Sequence, residues 1–211
     1  MPPAAAGTRR VRAMSATGRA QRRDAILDAA CTVLAEQGLE GTRIADVAKR
    51  VGISPGHVLY YFESKADLFL QSLAAVEERL RDEALARFED LPRAADRWNA
   101  MLEVMAPAGP GDFKLLLWLE AWEIAPRDER VAAFTAALED QWQALQLDVL
   151  RQAQADGEIA PDRDLREFVT RFSAFFDGLT IQVVTGSRRI DREHMLEICR
   201  DYARTQLGWR V

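Results

Sequence analysis

The chain has 211 residues, 48% of them hydrophobic and 29% charged, a balance that suits a soluble globular protein with one large or two small domains. Its longest apolar runs fall short of the ~20 residues of a membrane span, and the Pro-, Ala- and Arg-rich start lacks the apolar core of a signal peptide. The net charge of −5 is unevenly spread: residues 1–65 carry +4 and residues 66–211 carry −9, so a basic head precedes an acidic body.

Residues 1–18 read as a disordered low-complexity tail whose Arg9, Arg10 and Arg12 are either a groove-binding arm or a solvated terminus. A first helix is predicted from about Arg19 to Gln37, with Ile26, Leu27, Ala30, Val33 and Leu34 as its stripe and Gly38 as its stop. Thr42 is expected to cap a second helix that buries Ile44, Val47 and Ala48 and ends at Gly52. Ser54 and Pro55 then open a third helix with Val58, Leu59 and Phe62 inward and Gly56, His57, Tyr60 and Tyr61 outward. Two short helices around a glycine turn make a helix-turn-helix.

Ser64 and Asp67 have the spacing of a capping box for a long fourth helix, with Leu68, Phe69, Leu73, Val76, Leu80, Ala84 and Phe88 in stripe as far as Pro92. Five more amphipathic helices are predicted: one to about Ala106, one at about 112–125 that is apolar nearly all round, and three at about 128–156, 164–185 and before Gly208. No segment sustains a two-residue alternation, so the fold class is all-α. Cys31 and Cys199 lack metal-ligand spacing and read as reduced thiols. His57 and His194 are the chain's two histidines, and no phosphate loop, nucleophile elbow or cofactor motif is present. Asp191 and His194 have helical ligand spacing but no partners, so no metal, no cofactor and no catalytic site is expected.

The run T-R-I-A-D-V-A-K-R-V-G-I-S-P-G-H-V-L-Y-Y-F-E-S-K-A-D-L, residues 42–68, resembles the N-terminal domain of TetR-type transcriptional regulators. Its most specific piece is Tyr61 to Leu68. The resemblance implies a nine-helix fold and a DNA-binding domain at 19–66. It also implies a ligand-binding and dimerisation domain at 67–211, and a cytoplasmic homodimer on a palindromic double-stranded operator. A small, largely apolar or aromatic effector would release the repressor. A regulator without a small effector, or a small helical enzyme, is the alternative. By position, Thr42, Tyr61 and Lys65 match the family's phosphate contacts. His57 stands where the family often has Thr, which bears on base readout, and Leu59 where it often has Tyr, a change expected to repack the core.

From the residues themselves, His57 and Tyr60 are the candidate base readers and Arg43 a phosphate contact, with Ser54, Pro55 and Gly56 at the same face. Trp98, Met101, Met105, Phe113, Trp118, Trp122, Phe134 and Trp142 are candidates for an effector pocket, plain core being the competing reading. Glu120 and Glu123 are candidate anchors for a cationic effector among these rings, solvent-facing or salt-bridged carboxylates being the competing reading. Leu165, Phe172, Phe176, Leu179 and Val183 are candidates for a four-helix dimer interface.

Overall fold

A computed structural model describes residues 16–211, and all regular structure among them is helical. The helices are α1 Ala16–Gly41, α2 Ile44–Val51, α3 Pro55–Tyr61, α4 Lys65–Phe88, α5 Ala94–Met105, α6 Phe113–Ile124, α7 Glu129–Ala155, α8 Leu165–Val184 and α9 Arg192–Leu207. A single 3-10 turn, Ala125–Arg127, joins α6 to α7 at Pro126. The nine-helix, all-α expectation is met. Arg9, Arg10 and Arg12 lie outside the described residues, and α1 begins at Ala16, three positions before the predicted start.

Local chemistry explains most of the boundaries. Ser54, Ser64, Asp112, Asp128, Asp164 and Asp191 each precede a helix and accept backbone N–H groups of its first turn. Asp191 therefore spends its carboxylate on the His194 N–H at 2.9 Å, so this pair is a helix cap. Asp67 answers Ser64 by accepting the Glu63 N–H at 3.0 Å.

Thr42 departs from expectation. It is 2% exposed, and its hydroxyl donates to Gly38 O at 2.6 Å, leaving Arg43 at the N-cap of α2 without a side-chain bond. The reason is Gly38, whose φ of 67° breaks α1 and folds residues 39–41 back so that Thr42 closes the turn from inside.

Two apolar clusters divide the molecule. The first joins α1, α2, α3 and the first half of α4 to Leu117, Trp118 and Ala121 of α6 and to Val131 and Leu138 of α7. The second fills the body around Trp98, Phe168, Phe172 and Trp209. At 24 residues, about 36 Å, α4 contributes to both, and Leu80 packs against each. Two details differ from the periodicity reading. Helix α4 ends at Phe88, before Pro92, and α6 fully buries just Leu117, Trp118 and Ala121 despite its nearly continuous apolar sequence.

Candidate nucleic-acid interface and ligand cavity

Helix α3 projects from the head with Val58 and Phe62 buried beneath it. Its outer face carries Pro55, Gly56, His57 and Tyr60, all exposed, with Tyr60 at 67%. The His57, Tyr60 and Tyr61 rings pack against one another with centroids 5.2–6.4 Å apart, which limits their rotamers. Gly56 would meet nothing within 4 Å if it carried a Cβ, so its small size serves no internal packing. Leu59 does not point inward: it is 49% exposed on the flank of the same face, because the seven-residue helix has room for just one buried stripe.

The cationic surroundings divide into free and committed groups. Arg43 is exposed at the start of α2, and Arg19, Arg23 and the half-buried Tyr61 line a groove beside α3. Arg23 also donates to Gln71 Oε1 at 2.5 Å and lies over the Phe62 ring. Lys65 reaches back to the turn before α2, donating to Leu39 O at 2.9 Å and Glu40 O at 3.4 Å. Ser54 is exposed, with its Oγ 3.3 Å from the His57 N–H. Of the nine residues expected at the DNA, Thr42 alone is withdrawn from the surface.

The body holds a cavity of about 90 Å³ where α4, α5, α6, α7 and α8 converge. Met105, Trp118, Trp122 and Trp142 line it, so the structure brings together four of the eight residues expected there. Trp98 and Met101 sit wholly in the body core, because the opposite face of α5 packs on Phe168 and Phe172. Phe134 packs against the head cluster, and Phe113 lines a separate groove between α1 and α6. Glu120 and Glu123 line that groove as well. Lying two positions from Trp118 and one from Trp122, they project from other sides of α6.

The carboxylates at the cavity are Glu77, Glu139 and Asp177. Glu77 is 3% exposed and accepts the indole N–H of Trp118 at 2.7 Å and of Trp142 at 2.6 Å. Burial pushes its carboxyl above the usual range, while the two indole bonds and the charges of Arg81 and Lys114 oppose that rise. Burial, reinforced by the charge of Glu139, raises Asp177 to about 7. The Trp118 and Trp122 rings lie 5.6 Å apart and inclined at 41°, so with Trp142 they bring three indoles to one small volume. Such rings with desolvated carboxylates attract a small organic cation.

Periodicity alone missed these acids, although a signal existed. Glu77 interrupts the apolar stripe of α4 between Leu73 and Leu80, and Asp177 interrupts that of α8 between Phe176 and Leu179. A carboxylate in a core stripe is rarely left without a partner.

The interface expectation on α8 needs correction. Leu165, Phe172, Phe176, Leu179 and Val183 are all buried within a single chain. Their spacing turns them toward α5, α7 and α9, and Phe176 lines the cavity. The outward face of α8 is instead Ala174, Phe175, Gly178, Ile181 and Gln182, with Phe175 stacked on Tyr202 of α9 at 4.7 Å.

Comparisons with known proteins agree with this architecture. Residues 26–71 match the bacterial regulatory proteins of the tetR family, and residues 94–208 match the C-terminal domain of the BetI-type transcriptional repressor. The HTH-type transcriptional regulator BetI of Rhizobium meliloti is 26% identical over 187 residues, covering 88% of this chain and 89% of the relative. The HTH-type transcriptional repressor KstR2 of Mycolicibacterium smegmatis is 28% identical over 160 residues, covering 72% and 74%. Among solved structures, a transcriptional regulator from Saccharomonospora viridis in complex with choline superposes with a TM-score of 0.79 at 28% identity, covering 89% of this chain and 98% of that one. Among the described residues no helix is long and apolar enough to cross a membrane. The chain belongs to the TetR family, as a helix-turn-helix transcriptional regulator, not an enzyme, whose C-terminal domain is of the BetI repressor type.

Proposed function

We propose that this chain is a homodimeric repressor whose two α3 helices enter successive major grooves of a palindromic operator, and that a small quaternary ammonium cation in the body cavity releases it. The observation that carries the effector class is Glu77: a carboxylate 3% exposed, held between two indole N–H groups at the wall of an apolar cavity with Asp177 and Glu139 nearby. Removing an ionised carboxylate from water is costly unless charge compensates it. The choline held by the Saccharomonospora viridis regulator is a cation of this kind, and the small volume suits it better than a long acyl chain.

Within this reading, Arg43, Arg19 and Tyr61 supply phosphate contacts and His57, Tyr60 and Leu59 face the base edges. The second copy packs on the outward strip of α8 and α9. Its small and apolar residues, Ala174, Gly178 and Ile181, permit close approach, and the Phe175–Tyr202 pair lies beside them.

The test is fluorescence anisotropy on a duplex selected from a random pool by the full-length protein. Choline is expected to weaken binding at least fivefold, the lower range of allosteric couplings, and Glu77→Gln to abolish the response. Unchanged binding at choline concentrations that saturate the wild-type cavity sinks the release mechanism. Sedimentation of Ile181→Glu checks the dimer face, with a shift toward monomer expected.

A further inference from the structure

The positive charge of the head comes from its first 23 residues. Six arginines lie there, Arg9, Arg10, Arg12, Arg19, Arg22 and Arg23, and the first acidic residue is Asp24. Residues 24–65, which hold α2, α3 and most of α1, carry four basic side chains against six acidic ones. Two of those four are committed: Arg50 pairs with Glu36 at 3.1 Å, and Lys65 donates to the carbonyls of Leu39 and Glu40. A helix-turn-helix of net negative charge supplies little of the counterion release that drives association with a duplex. The arginines before it carry that part of the binding.

The structure sets the start of this run beside the recognition helix. Arg19 and Arg23 on α1 line one groove with Tyr61, the last residue of α3. Arg19 and Arg22 are exposed and enter no ion pair among the described residues. Arg23 donates to Gln71 on α4 and lies over the Phe62 ring, which fixes the first turns of α1 against α3 and α4. Ala16, where α1 begins, is less than one turn from Arg19, so the segment before it starts at the edge of the DNA-facing surface.

Arg12 and Arg9 precede Ala16 by four and seven residues, about 14 and 24 Å of extended chain. Half a turn of duplex is about 17 Å, so these side chains reach the groove next to the one that α3 enters. That groove is the minor one, where A·T pairs narrow the walls and strengthen the negative potential that an inserted guanidinium meets. We propose that residues 1–15 form a DNA-binding arm that sets Arg9, Arg10 and Arg12 in the minor groove bordering each half-site, with a preference for A·T pairs there. The arm extends operator recognition beyond α3 and is independent of the effector reading.

Fluorescence anisotropy on a duplex selected from a random pool compares the full-length wild type with the full-length triple variant Arg9→Ala, Arg10→Ala, Arg12→Ala. The variant is expected to bind at least about tenfold more weakly at ~0.1 M salt, with a salt slope shallower by about 2–3. In the wild type, exchanging the A·T pairs that border the half-site for G·C should weaken binding severalfold. Inosine·cytosine pairs, which lack the guanine amino group in the minor groove, should be tolerated, and the variant should be indifferent to both exchanges. Its urea midpoint should equal that of the wild type, because the three arginines precede α1. Unchanged affinity and slope would make the run a solvated terminus and overturn the arm. A shallower slope with no difference among the three kinds of flanking pair, or a selection with no A·T preference beside the half-site, overturns the minor-groove placement. A lowered urea midpoint would assign the arginines to the fold and overturn it as well.

Discussion

Glu120 Oε1 on α6 accepts the backbone N–H of Leu39, just past the break in α1, at 3.2 Å. Lys65 at the start of α4 donates to the carbonyl of the same Leu39 at 2.9 Å. The turn before α2 is thus gripped from two helices, and both of those helices also line the cavity, through Trp118 and Trp122 on α6 and Glu77 on α4. Under the proposed release mechanism, a shift of α6 reaches the DNA-facing head through this carboxylate as well as through the packing of Leu117, Trp118 and Ala121 on the head.

Glu120→Ala should therefore reduce communication between the sites. The ratio of operator affinities without and with saturating choline should fall about fivefold, near 1 kcal/mol of coupling. Anisotropy titrations of both forms measure it. A ratio equal to that of the wild type would assign transmission to α4 and to the apolar packing of α6 on the head.

Leu59 is exposed beside Tyr60 and can form no hydrogen bond, which leaves apolar contact with a thymine methyl as its direct readout. Replacing the thymines of a selected half-site one at a time by deoxyuridine should weaken wild-type binding severalfold at one position. The Leu59→Ala protein should be indifferent to that exchange. Loss of equal size in both proteins would show that another group contacts the methyl.

Thr42 is buried with its hydroxyl on Gly38 O, so its side chain acts through the fold. Thr42→Val should cost about 1 kcal/mol of stability, read as a lower midpoint in urea. The salt dependence of DNA binding should keep its slope, because no phosphate contact is lost. A shallower slope with unchanged stability would place Thr42 at the DNA.

Asp177 titrates at about 7 in the folded chain against an ordinary 3.8, chiefly through burial and then through Glu139. Between those values the folded chain holds more protons than the unfolded one, so this group's contribution to stability falls as pH rises from about 4 to about 7. Asp177→Asn should accordingly melt higher than the wild type at pH 8. A bound cation favours the ionised form, so choline affinity should rise by up to about tenfold per pH unit below 7 and level off above about 8. Glu77, Glu139, Arg81 and Lys114 share this environment, so titrations at pH 6, 7 and 8 should compare wild type with Asp177→Asn, whose profile should be flatter. An equally steep profile in the variant would move the titration to another group.

The sequence alone settled the helices and the outward placement of Gly56, His57 and Tyr60 on α3, because these rest on short-range chemistry. Ser54, Ser64 and the aspartates at 128, 164 and 191 cap the turns that follow them, Gly38 and Gly52 adopt positive φ, and the 3–4 spacing of apolar residues holds in every long helix. Tertiary structure decided which side of each helix meets what. A stripe marks a face as buried but not its neighbour, so Phe172 and Phe176 suited a partner chain as well as their own core, and Trp98 suited a pocket as well as Phe168. Leu59 and Thr42 exchanged places because a seven-residue helix buries one stripe and a glycine break turned Thr42 inward. The cavity chemistry was the least legible, since it depends on Glu77, Glu139 and Asp177 arriving together from three helices across about a hundred residues.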